Sequence, residues 1–202
     1  MKQRIGAIVL TCVLATPALA QGDLPGEGVS VQPAVATWQS ALPIEAIFAT
    51  LLGELGYDVE PAQSVSNPIF YQSVTQGDVD YWANGWFPLH NTQLPSGFED
   101  NAEVVGTIVA NGALQGYLAS SDAIEEFGIT SLDDFKRPEV KEAFDADGDG
   151  KADLVACPPG WGCEGVIEHH LDAYDLRDHV NDIKASYSAS FADALARSRN
   201  GQ

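Results

Sequence analysis

The sequence predicts an α/β fold built as two βα lobes, and three observations carry that expectation. Short strand-patterned runs alternate with stretches of helical periodicity from Val29 onward, the signature of a largely parallel sheet with helices on both faces. Gly56, Gly77, Gly128 and Pro138 fall where the period changes, as breakers should. Two strand-like runs, Val104 to Val109 and Leu114 to Ala119, flank Asn111-Gly112 near the middle of the chain, where one lobe would pass into the next. The expected division is a signal peptide over 1–20, a first lobe over 21–108 and a second over 109–202, joined near Gly106 to Gly112.

Each element follows from its residues. Gly22 to Gly28 is a polar arm containing Gly and Pro. Val29 to Thr37 reads as a strand, and Ile44, Ile47, Phe48, Leu51, Leu52 and Leu55 then recur at helical spacing until Gly56. Tyr57 to Glu60 is a short second strand. A helix from about Pro68 to Gln76 ends at Gly77, and Val79 to Ala83 forms a third strand leading into Asn84-Gly-Trp86-Phe-Pro88. Ser121 to Phe127 and Ser131 to Phe144 hold short helices. Asp153 to Ala156 is a strand; Val166, Ile167, Leu171 and Tyr174 mark a helical stripe. His179 to Ala185 is a further strand, and Phe191 with Leu195 marks a last helix. Ligands of such sheets gather beyond the carboxyl ends of the strands, and Trp86 lies just past one of them. Trp38 and Trp82 read as strand positions before that end, outside the site.

Composition narrows the function. Met1 to Arg4 is a short basic start, Ile5 to Leu14 is apolar, and Ala18-Leu-Ala20 is a small-x-small cleavage signal, so export with cleavage after Ala20 is expected. Removing Lys2 and Arg4 with the signal takes the formal charge from −19 to −21, which argues against a general nucleic-acid binder. Cys12 would leave with the signal, and the remaining Cys157 and Cys163 form a disulfide by default in an oxidising compartment. The ring so closed contains Pro158, Pro159, Gly160, Trp161 and Gly162, and a helix is expected to start where it ends. An indole face attracts a cation, and a helix N-terminus receives an anion. The pair suits a ligand that is cationic at one end and anionic at the other.

Longer motifs extend this reading. Asp23-Leu-Pro-Gly-Glu-Gly28, Asn84-Gly-Trp-Phe-Pro-Leu-His90, Asn111-Gly-Ala-Leu-Gln-Gly-Tyr117, Asp147-Gly-Asp-Gly-Lys-Ala-Asp-Leu154 and the run from Cys157 to Gly165 occur in that order. Together they resemble the periplasmic glycine betaine/proline betaine-binding proteins that feed ABC importers. The resemblance implies a type II periplasmic binding-protein fold, a betaine-type ligand, a membrane permease as partner, a monomer, no cofactor and no enzymatic activity. It implies that Trp86 and Trp161 belong to a box of three tryptophans around the quaternary ammonium. His90 and the Gly162 and Cys163 amides would hold the carboxylate. The family's third box tryptophan lies beyond the last helix of this sequence, so the resemblance also implies a sequence that stops short at its C-terminus, as a fragment or as a truncated chain.

Other readings stand beside this one. Taken alone, Trp86 also fits a core indole and His90 a surface histidine, while the cysteines could be a plain staple. Asp145, Asp147, Asp149 and Asp153 occupy positions one, three, five and nine of a calcium-type loop with Gly150 at six, but Ala156 stands where the bidentate glutamate belongs. A solvated Asp/Gly turn is the alternative to a weak calcium site. Adjacent His169 and His170 diverge by about 100° on a helix and do not make a zinc pair. The competing functions are an exported thiol or calcium-dependent hydrolase and a structural calcium-binding domain.

Overall fold

The computed structural model describes residues 24–112 and 114–199, so the expected signal peptide and its cleavage site lie outside the described residues. The N-terminal strands are β1 (Ser30–Val31), β2 (Pro33–Ala36), β3 (Asp58–Val59), β4 (Gln63–Val65) and β5 (Tyr81–Trp82). Helices α1 (Ala41–Glu54), α2 (Asn67–Gln76) and the short α3 (Phe98–Asn101) accompany them. The C-terminal elements are α4 (Ser121–Phe127), α5 (Pro138–Phe144), β6 (Ala152–Val155), α6 (Gly162–Ala173), β7 (Val180–Ile183) and α7 (Tyr187–Arg199).

Every strand pairing among the described residues is parallel, as the alternation of elements predicts. The strands form three short sheets: β1 with β3, β2 between β4 and β5, and β6 with β7. The strand expected over Val29 to Thr37 is divided at Gln32. Its N–H donates to the Asp80 carboxylate at 2.6 Å, and Pro33 has no N–H to offer a ladder. β2 is central and buried at all four residues, which explains its run of small apolar side chains. The sequence does not announce β4, because Gln63 and Ser64 give no apolar pattern and only pairing with β2 makes them a strand.

Helix ends obey local chemistry. Gly77 caps α2 in the left-handed region at φ 79°, and Pro68 stands in its first turn, where no N–H is needed. The Ser120 hydroxyl accepts the Ala123 N–H at the start of α4. The stretch from Ser131 to Phe144 is divided into a 3-10 turn over Leu132–Lys136 and α5, because Pro138 can begin a helix but not continue one.

One expectation needs correction. Val104 to Val109 and the stretch from Leu114 to Ala119 form no strand, and no described residue supplies a partner ladder for their backbone. Leu114 and Leu118 are each 88% exposed. An apolar run is a strand only when a neighbour accepts its hydrogen bonds. Along α1, Ala41 and Glu45 are buried and Ile44, Phe48 and Leu52 of the apolar stripe share that face half-buried, while Ile47 and Leu51 stay exposed. Glu45 accepts the Tyr81 hydroxyl at 2.8 Å, and burial raises its pKa.

One core gathers Ala34, Phe70, Tyr71, Val79 and Phe98 from the N-terminal elements; another gathers Ala152, Ala156, Ile167, Leu171, Leu176 and Val180 from the C-terminal ones. Among the described residues no helix is long and apolar enough to cross a membrane.

Candidate functional site

β6 delivers the chain into the ring, where Cys157 and Cys163 are disulfide-bonded with Cα atoms 6.0 Å apart. Inside the ring the Trp161 N–H donates to the Pro158 carbonyl at 3.2 Å, and Gly160 takes φ 87°, in the left-handed region. A side chain at Gly160 would also meet the Ser66 Cβ at 3.0 Å, so the ring rests against the start of α2. The Gly160 N–H donates to the Glu164 carboxylate at 2.8 Å. Gly162 and Cys163 open α6, and their N–H groups have no acceptor among the described residues. The first amides of a helix have no partner within it, and among the described residues nothing else takes these two.

His90 stands on the 3-10 turn Leu89–Gln93 and is 1% exposed, not the surface histidine that its position alone would also allow. Its Nδ1 accepts the Trp86 backbone N–H at 3.2 Å and lies 2.7 Å from the Tyr71 hydroxyl. Its Nε2 lies 3.0 Å from the Asn67 amide, which in turn reaches Gln93 at 2.9 Å. Burial lowers the His90 pKa to about 4, so the ring is neutral at physiological pH. A Cβ added to Gly162 would come within 2.9 Å of His90 Cδ2 and of Leu89 Cδ2. Glycine at that position lets the ring and the His90 turn meet.

Trp86 is half-buried, and its indole N–H donates to Asn84 Oδ1 at 3.1 Å. The same oxygen accepts the Trp38 indole N–H at 2.7 Å. Trp38 meets Trp161 with ring centroids 5.4 Å apart and planes at 77°, and lies 6.4 Å from the His90 ring. The Trp161 indole N–H donates to Thr37 Oγ1 at 2.7 Å. Trp38 therefore stands among the candidate residues, past the end of its strand and not on a strand position before that end. β2 stops at Ala36, which places Thr37 and Trp38 just past the carboxyl end of the strand. The rule that singled out Trp86 applies equally to Trp38 and would have found it. Trp82 lies inside β5 and packs on Phe70 at 4.5 Å, Tyr71 at 5.7 Å and Trp38 at 5.8 Å, backing the site from the core.

The acidic loop lies apart from these contacts. Oxygens of Asp145, Asp147 and Asp149 come within 4.8 Å of one another, and Asp153 stands outside that group. Asp145 already accepts backbone N–H groups from Gly148, Asp149 and Gly150, which holds its pKa below the usual carboxylate value. Asp153 accepts the Ala146 N–H at 3.1 Å. A hollow of about 510 Å³ is lined by Phe87, Leu94, Phe98, Glu99, Glu103 and Val104 among others, but by none of the candidate ligand residues.

Residues 29–202 match the family described as the substrate binding domain of ABC-type glycine betaine transport systems. The chain belongs to that family. It is 37% identical over 198 residues to the glycine betaine-binding periplasmic protein OusX of Dickeya dadantii, covering 98% of this chain and 60% of that one. Over 189 residues it is 35% identical to the glycine betaine/proline betaine-binding periplasmic protein of Salmonella typhimurium, covering 94% and 57%. This family member thus spans less than two thirds of the length of these relatives. The crystal structure of the glycine betaine, L-proline transporter binding protein from Borrelia burgdorferi superposes with a TM-score of 0.61 at 16% identity, covering 86% of this chain and 60% of that one. The fold is that of the type II periplasmic binding proteins.

Proposed function

We propose that this chain captures a betaine-type zwitterion in the periplasm and presents it to the membrane permease of an ABC importer, supporting osmoprotection. It acts as a monomer, after signal cleavage behind Ala20, through two lobes over 21–108 and 109–202. No cofactor and no covalent chemistry are involved. The observation that carries this reading is the pair of Gly162 and Cys163 amides, without acceptors among the described residues, beside the anchored Trp161 indole.

The chemistry follows from the ligand class. A quaternary ammonium has no N–H to donate and spreads its charge over methyl groups, so hydrogen-bond acceptors do not select it, whereas aromatic faces do. Trp86 and Trp161 supply such faces. The ligand carboxylate takes the two free amides, whose position at a helix N-terminus favours negative charge. His90 is the third donor of the proposal. Both its ring nitrogens are engaged within the protein, so a carboxylate reaches Nε2 only by displacing Asn67. The disulfide holds the amides and the indole on one short turn. Nothing in the family match or in the relatives favours a hydrolase or a structural calcium domain.

Calorimetric titration of the chain with glycine betaine tests the reading. Micromolar affinity corresponds to about −8 kcal/mol. Loss of one desolvated aromatic face, about 2 kcal/mol, should weaken Trp161→Ala roughly thirtyfold or more while its circular dichroism stays unchanged. Near-normal affinity in that variant would rule out the aromatic capture.

A further inference from the structure

We infer that Trp38 is a further wall of this ligand site and that Asn84 is the positioning residue that sets it; the inference rests on the betaine reading above. Two indole N–H donors, from Trp38 at 2.7 Å and Trp86 at 3.1 Å, converge on one atom of the Asn84 side chain. An amide nitrogen cannot accept, so that atom is the carbonyl oxygen, and its two lone pairs serve one indole each. Trp161 is tied down in the same way by the Thr37 hydroxyl, the residue next to Trp38. The polar edge of all three indoles is therefore committed to protein acceptors. What remains for a ligand is the faces, which suit a cation that lacks N–H groups.

The geometry of Trp38 is that of a wall. Its plane stands at 77° to Trp161 with centroids 5.4 Å apart, which bounds a corner instead of closing a stack. A trimethylammonium head in such a corner meets two faces at once. Trp82 supports Trp38 from behind at 5.8 Å and is itself packed against the buried Phe70 and Tyr71. The wall is thus braced by the core on one side and held by Asn84 at its edge.

The test compares two ligands of the same shape: glycine betaine and 3,3-dimethylbutyrate, whose tert-butyl group replaces the trimethylammonium without its charge. The ratio of their Kd values reads the attraction of the aromatic faces for the cation. Trp38→Ala should narrow that ratio about tenfold, and Asn84→Leu, which removes the shared acceptor at similar volume, about threefold. Trp38→Phe keeps a face, loses the N–H, and should retain most of the ratio. If Trp38→Ala does not fold, Trp38→Leu fills much of the volume without a π face and carries the same test. Equal weakening toward both ligands in the Trp38 variants, or no change in either, would overturn the inference while a narrowed ratio in Trp161→Ala kept the betaine reading intact. An unchanged ratio in Trp161→Ala would sink that reading and the inference with it.

Discussion

The Cys157–Cys163 turn and the Asp145–Asp153 turn both precede regular structure and both carry groups that bind small ions, yet they use their backbone amides in opposite ways. In the acidic loop, N–H groups of Gly148, Asp149 and Gly150 donate into Asp145, and Lys151 donates into Asp149. The amides of residues 148–151 are thus spent on the loop's own carboxylates, while Asp153 Oδ1 is buried without a partner among the described residues. At the cysteine ring the Gly162 and Cys163 amides remain without acceptors among the described residues, next to an indole whose own N–H is fixed on Thr37. Motif spacing alone, then, does not mark a ligand site. Unspent hydrogen-bonding capacity beside a rigid face of complementary chemistry is what makes the cysteine ring the candidate.

The largest expected effect comes from removing the brace under the ring. His90 joins Trp86, Asn67 and Tyr71 and touches Gly162, and burial depresses its pKa from 6.5 to about 4. The unfolded chain then binds a proton that the folded one refuses between those two values, so stability is complete above pH 6.5 and is lost as pH falls toward 4. At 1.36 kcal/mol per pKa unit, the loss is about 2 kcal/mol by pH 5 and roughly 3 kcal/mol in full. Asn67 and the Trp86 amide do not titrate in this window, and the Tyr71 pKa is raised further away from it. Urea unfolding at pH 7.5 and pH 5.0 measures the slope, which His90→Gln should largely abolish. An undiminished slope in that variant would place the linkage elsewhere and leave the ring without this brace.

Much of this is legible in the chain. The parallel alternation, the ring, the helix start at Gly162 and the stop at Gly77 all follow from residues whose backbone preferences are strong. What is not legible depends on partners distant in sequence. β4 has no apolar pattern of its own and exists through β2. Val104 to Val109 has the pattern and no partner among the described residues. The burial of His90 is set by Tyr71 and Asn67 on a helix some twenty residues earlier, and the place of Trp38 by Asn84 and Trp161. Pairing across the fold decides these cases, and a single sequence does not display it.

Two glycine substitutions separate the turns more finely. Gly162 has ordinary helical backbone, but a Cβ there would stand 2.9 Å from His90 Cδ2 and Leu89 Cδ2. Gly162→Ala should therefore cost through overpacking, about 1–3 kcal/mol, and should weaken betaine binding because the amide moves with the displaced turn. Gly148 is the reverse case: φ is 81°, and among the described residues no atom beyond its own chain neighbours lies within 4 Å of the position a Cβ would take. Gly148→Ala should cost about 1 kcal/mol through backbone conformation alone and leave ligand affinity unchanged. Thermal melts with calorimetry on both variants check this. Loss of affinity in Gly148→Ala would mean that the two turns are coupled.

The smallest expected effect concerns the metal. Calcium takes six to eight oxygen ligands. The loop gathers three carboxylates, Asp153 is turned to the Ala146 N–H, and the twelfth position is the buried, apolar Ala156. Affinity in the millimolar range or weaker follows, and at 1 mM calcium a Kd of 1 mM stabilises by only about 0.4 kcal/mol. Replacing EDTA by 1 mM calcium chloride should thus shift Tm by no more than about 1–2 °C. A rise of several degrees, abolished by Asp147→Asn, would show that the amide-filled loop still has oxygen to give, and the contrast drawn between the two turns would then fail at its acidic end.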